Sequence, residues 1–76
     1  MKTSFRKNLK QLGDVIRQKR TAKGHSQESL ALACGVHRTY MGAIERGERN
    51  VALENLNKIA AALDTRLSDL LAEAGL

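Results

Sequence analysis

Arg38 and Thr39 stand side by side near the start of a short segment, His37-Arg38-Thr39-Tyr40-Met41-Gly42-Ala43-Ile44, and Arg46, Arg49 and Asn50 follow it closely. A guanidinium is a planar fork of N–H donors that matches the O6 and N7 acceptors of guanine, a pairing worth about 1–3 kcal/mol of base discrimination. A threonine hydroxyl can donate to a base edge, or its methyl can rest against that of thymine. Ala43, one helical turn beyond Thr39, offers only a methyl contact. Tyr40 has two readings: its hydroxyl reaches a phosphate or base edge, or its ring packs half-buried near Val36 and Ile44. His37 either caps the segment or meets a phosphate, with a charge that depends on pH. Arg46, Arg49 and Asn50 are spaced to hold the sugar–phosphate backbone beside a groove, contacts that set register without reading sequence. Each alone also fits an ordinary solvated surface group; their clustering beside Arg38 favours the first reading. Gln27 falls in the first turn of the preceding helical segment, where unsatisfied backbone N–H groups attract phosphate. It either adds a phosphate contact or braces the helix that follows.

Glu45 runs against this basic theme. A carboxylate turned toward phosphates would be repelled, so Glu45 is expected to face the protein, with Arg20 as its partner. Other chemistry finds little footing. Cys34 lies on an apolar helical face, as a buried structural thiol does, rather than as a nucleophile. His25, His37 and Cys34 lack the paired spacing of a zinc site. No glycine-rich phosphate loop and no carboxylate pair in a pocket is visible. The sequence therefore predicts a protein without enzymatic activity, cofactor or metal, and with no domain to receive a small-molecule effector.

Charge is distributed unevenly. Residues 1–50 carry eleven Lys/Arg against four Asp/Glu, a net of +7, while residues 51–76 carry two against four, a net of −2. A basic first half suits a polyanionic partner; basic surfaces that only aid solubility are the plainer reading. Seventy-six residues predict one small domain spanning residues 1–76, marginal alone and helped by dimerisation. The lack of a long apolar run argues against a membrane span or a signal peptide, and one cysteine suits a reducing compartment. The expected location is the cytoplasm.

The elements that must position these groups read as helices. Leu9, Leu12 and Ile16, with Val15 widening the stripe, predict a first helix over residues 9–23, whose last turns gather Arg17, Lys19, Arg20 and Lys23. Residues 1–8 read as a short basic arm carrying Lys2, Arg6 and Lys7, pinned by Phe5. Ser26 is the N-cap expected for a second helix with Leu30, Ala31 and Cys34 on one face. Gly35 supplies a left-handed hinge. A third helix spans about residues 37–46 with Val36, Met41 and Ile44 inward, so that residues 26–46 form a helix-turn-helix. Gly42 inside the third helix reflects either close approach to DNA or close packing on the second helix. A fourth helix begins near Leu53 and buries Leu56, Ile59, Ala60 and Leu63, with Ala52 a poor cap before it. Asp64-Thr65 turns the chain into a last helix, residues 66–74, bearing Leu67, Leu70 and Leu71. Glycines 24, 35, 47 and 75 stand where helices should stop. The fold class is all-α, five helices around one core.

Arg17, Arg20, Gly24, Ser26-Gln27, Leu30-Ala31, Gly35-Val36, Ile44-Glu45-Arg46-Gly47, Leu53, Leu56, Ile59-Ala60 and Ala62-Leu63 resemble the lambda-repressor/Cro-like helix-turn-helix family, also called XRE-type, over roughly residues 9–72. Within it, Gly-Val-His-Arg-Thr-Tyr-Met followed by Ile-Glu-Arg-Gly and Arg-Asn is similar to the controller proteins of restriction–modification systems. The resemblance implies a homodimeric transcriptional regulator on double-stranded DNA. It implies that Arg38 and Thr39 read bases, that Tyr40, Arg46, Arg49 and Asn50 lie at or near DNA, and that Gln27 contacts DNA or braces the third helix. It also implies that Arg20–Glu45 is an internal salt bridge, and that the last helix supplies a dimer contact through Leu67 and Leu71. Two departures stand out: Ala52 replaces the usual serine or threonine, and Gly42 replaces a polar residue. The family also contains antitoxins, whose chief task is to mask a toxin, and that is the alternative reading.

Overall fold

The computed structural model describes residues 2–76, with side chains from residue 5 onward. Among the described residues it holds five helices and no strand: α1 Lys2–Ala22, α2 Gln27–Cys34, α3 Arg38–Glu45, α4 Leu53–Ala62 and α5 Leu67–Glu73. None is long and apolar enough to cross a membrane.

The order follows from local chemistry. Ser26 Oγ accepts the Ser29 N–H at 3.0 Å and so satisfies one orphan donor at the start of α2. At the other end Gly35 sits at φ +71°, and the Val36 N–H reaches back to the Ala31 carbonyl at 3.0 Å. That left-handed residue turns the chain into α3 within three positions. Glycines 24, 35, 47 and 75 all have positive φ, as their placement at helix ends implied. Ala52 precedes α4 with no side-chain cap.

The core is aliphatic. Leu12, Ile16, Leu30, Ala31, Cys34, Met41, Ile44, Leu56, Ile59, Ala60, Leu63 and Leu70 are buried together, with Val36 and Tyr40 packed partly buried at the edge. Leu67 and Leu71 are also half-buried against this cluster. Burial raises the Cys34 thiol pKa above its ordinary value, with Lys58 opposing, which suits a structural role.

Two expectations fail at the N-terminus. The segment read as a basic arm is helical from Lys2, so α1 begins seven positions before residue 9. Phe5 does not pin it to the core, being 50% exposed. Phe5 is the single apolar residue of residues 2–8 and continues the Leu9–Leu12–Ile16 spacing, but one aromatic among polar neighbours is a weak sign of solvated turns that extend a helix already nucleated further along.

The close packing of α1 on α3 depends on Gly13. A Cβ there would stand 2.5 Å from the carbonyl oxygens of Ile44 and Glu45, well inside van der Waals contact. Bare backbone lets the middle of α1 lie directly on the last turn of α3.

A candidate nucleic-acid interface

Helix α3 presents its first turn outward and anchors its last turn inward. Arg38 and Thr39 are both exposed at its start, while Met41, Gly42, Ile44 and Glu45 are buried. His37 precedes the helix in extended conformation, and its Nδ1 accepts the Thr39 N–H at 3.1 Å. Of the two readings for His37, capping is the one realised, with the ring itself exposed. Ala43, one turn beyond Thr39, is half-buried.

The inner end of α3 is held by a polar cluster. Arg20 Nε donates to Glu45 Oε2 at 2.7 Å and its Nη2 to Oε1 at 3.2 Å. Arg20 Nη1 also donates to the His25 carbonyl at 2.9 Å, tying in the turn before α2. Gln27 Nε2 donates to Glu45 Oε1 at 3.0 Å, so Gln27 braces α3. Glu45 is 4% exposed, and among the described residues no buried side-chain polar atom lacks a partner. A carboxylate satisfied on both oxygens by a planar fork and an amide is fixed in orientation as well as compensated in charge.

Gly42 touches this cluster. A Cβ there would meet Gln27 Oε1 at 3.4 Å and Arg46 Nη1 at 3.2 Å. The packing explanation for this glycine therefore has a visible neighbour at the start of α2.

Tyr40 is half-buried on the core edge, as its packing reading required, but its hydroxyl is also engaged. Asn55 Nδ2 donates to it at 3.3 Å from the first half of α4. The Arg49 guanidinium lies 5.4 Å from the Tyr40 ring centroid, within the range of a cation–π contact. Arg46 pairs with Glu48 at 3.0 Å on the exposed loop, and Asn50 is exposed beside it. Arg38, Thr39, Arg46, Arg49 and Asn50 are thus all exposed on α3 and the loop that follows it.

Asn55 and Gly13 were not singled out from the sequence. Asn55 acts fifteen residues away from Tyr40, and no local spacing signals such a contact. Gly13 did carry a signal, since a glycine inside a strong helical stripe costs about 1 kcal/mol and needs a packing reason.

The sequence pattern of the helix-turn-helix family matches residues 16–70. The chain belongs to the helix-turn-helix family. It is 52% identical over 60 residues to the control protein C.BamHI of Bacillus amyloliquefaciens, covering 78% of this chain and 74% of that protein. The crystal structure of the restriction–modification controller protein C.AhdI from Aeromonas hydrophila is similar with a TM-score of 0.80 and 50% identity, covering 82% of this chain and 94% of that one. The structure of SinR, the master regulator for biofilm formation, in complex with DNA is similar with a TM-score of 0.75 and 38% identity, covering 79% and 97% of the two chains. This helix-turn-helix protein is a DNA-binding transcription regulator. The antitoxin alternative finds no support among these relatives.

Proposed function

We propose that this helix-turn-helix protein acts as a homodimeric controller of a restriction–modification operon, binding a pseudo-palindromic operator and setting its own level. In this reading α3 enters the major groove. Arg38 and Thr39 read base edges, with Tyr40 and Ala43 beside them. Arg46, Arg49 and Asn50 hold the phosphates and fix register, while Gln27 and His37 act behind them by bracing and capping α3. The single observation that carries the reading is the polarity of α3: Arg38 and Thr39 at its start are exposed, while its end is fixed by Arg20, Gln27 and Glu45. Likeness to C.BamHI and C.AhdI supports the controller role. Likeness to a SinR–DNA complex supports the docking mode.

Leu67 and Leu71 are half-buried on α5 within the single chain, and a second copy would complete their burial. A dimer through α5 would set two α3 helices about 34 Å apart, so half-sites should be centred about 10 base pairs apart. The protein would act in the cytoplasm as one domain over residues 1–76, governed by its own concentration rather than by an effector.

Footprinting of the full chain on the DNA upstream of its own coding sequence, paired with sedimentation of the free protein, tests this. Two protected half-sites about one helical turn apart and a dimeric mass are the expected results. Protection without twofold symmetry, or a monomer filling a single half-site, would overturn it.

A further inference from the structure

We infer that one edge of α1, carrying Arg6, Lys10 and Arg17, is a second phosphate-binding surface that continues the grip of the α3–α4 loop along the duplex. The inference rests on the DNA-binding reading above and adds residues that reading does not use.

Positions 6, 10, 13, 17 and 20 recur at helical spacing and share one side of α1. Three contacts fix where that side points. Arg20 holds Glu45 at the end of α3. Gly13 lies against the carbonyls of Ile44 and Glu45. One turn earlier, a Cβ on Gly47 would stand 2.7 Å from Lys10 Cα, so the turn after α3 rests on the α1 backbone. Gly47 lies between Arg46 and Arg49. The side of α1 that carries the basic residues is therefore applied to the segment that carries the loop cations.

Arg6, Lys10 and Arg17 are exposed along the rim of this contact. Their spacing places Arg6 and Lys10 on adjacent turns and Arg17 two turns further on, a line of cations that suits a phosphate backbone better than a single anion. Lys10 Nζ pairs with Asp14 at 2.9 Å, but both groups are solvated and the pair is a weak competitor for phosphate. The opposite flank of α1 differs. Lys19 is turned to α5, where it pairs with Glu73 at 2.8 Å. The first turns of α1 thus carry an exposed Arg6 one turn before Lys10, the residue on which Gly47 rests.

The probe is a mixed-sequence duplex, with affinity measured across a salt series on the full chain. Each of Arg6→Gln, Lys10→Gln and Arg17→Gln should reduce the slope of log affinity against log salt by about 0.9, the value for one lost phosphate contact. Loss should be the same on every sequence. Arg6→Lys should keep the wild-type slope, because point charge suffices. Lys19→Gln removes the same charge from the other flank and should leave the slope unchanged. Thermal melting by circular dichroism confirms that each variant is folded at the assay temperature. If wild-type protein binds duplex and the three variants retain its slope, the α1 surface is refuted. Equal loss on Lys19→Gln refutes it too, since net charge alone would then explain the effect. Absence of duplex binding by wild-type protein would instead refute the DNA-binding reading itself.

Discussion

The guanidinium of Arg20 meets the carboxylate of Glu45 side-on, with 2.7 Å and 3.2 Å contacts, and so couples the end of α1 to the end of α3. Both side chains are largely removed from water, at 12% and 2% exposure. In such a site the attraction is strong but the desolvation cost is of similar size, so the pair orients more than it stabilises.

Removing one member should therefore be far worse than removing both. Glu45→Ala leaves a guanidinium without its partner and should cost about 3–5 kcal/mol. Arg20→Met combined with Glu45→Leu should recover much of that loss. Urea unfolding of the three proteins measures it; wild-type stability in Glu45→Ala would show that the pair does not matter to the fold.

Base readout and backbone grip should separate by mutation. Arg38→Ala should cost about 1–3 kcal/mol at one base position in each half-site and relax preference there. Arg49→Ala should weaken all sequences alike and lower the salt slope by about 0.9. Competition binding against a library of single-base operator variants distinguishes the two. Uniform loss in both would remove Arg38 from the reading face.

Helix α4 begins without a side-chain cap, because Ala52 offers no acceptor in a position with cap geometry. Ala52→Ser or Ala52→Asp should raise stability by about 1 kcal/mol. The check is a higher melting temperature at unchanged denaturant m-value; no gain would mean that water already satisfies the first turn equally well.

The two left-handed glycines flanking the helix-turn-helix should respond differently to a methyl group. Gly24 has φ +80° and open space around it, so Gly24→Ala should cost about 1 kcal/mol from backbone strain alone. Gly47 has φ +74° and faces Lys10 backbone at 2.7 Å, where no rotamer change gives relief. Gly47→Ala should cost at least twice as much and should weaken DNA binding in the folded protein. Chemical denaturation compares them, and equal costs would mean that α1 yields at Lys10.

Most of this architecture was legible because it is written in local signals. Ser26, Gly35 and Gly47 mark the ends of α2 and α3 by capping and φ, and each does so in the structure. Glu45 was legible by contradiction, as a carboxylate in a basic surface. The misreadings have physical causes too. Phe5 stands four residues before Leu9 and so carries the helical spacing into the first turns of α1, but among basic and polar neighbours one aromatic does not distinguish helix from arm, and the ring stays 50% exposed. The Tyr40 ring was readable as half-buried, but its ties to Asn55 and Arg49 depend on the approach of α4 and of the loop. Such contacts are set by tertiary geometry, which spacing along the chain does not record.

At Gly13 main chain lies on main chain, with no side chain between α1 and the last carbonyls of α3. There is no soft layer there to compress, so these two helices move as a single wedge. A protein built this way has little freedom to tilt its probe to suit an ill-fitting groove. In the dimer proposed above the duplex would have to supply the bending, and operators that deform cheaply at their centre should be preferred even at base pairs no side chain reaches.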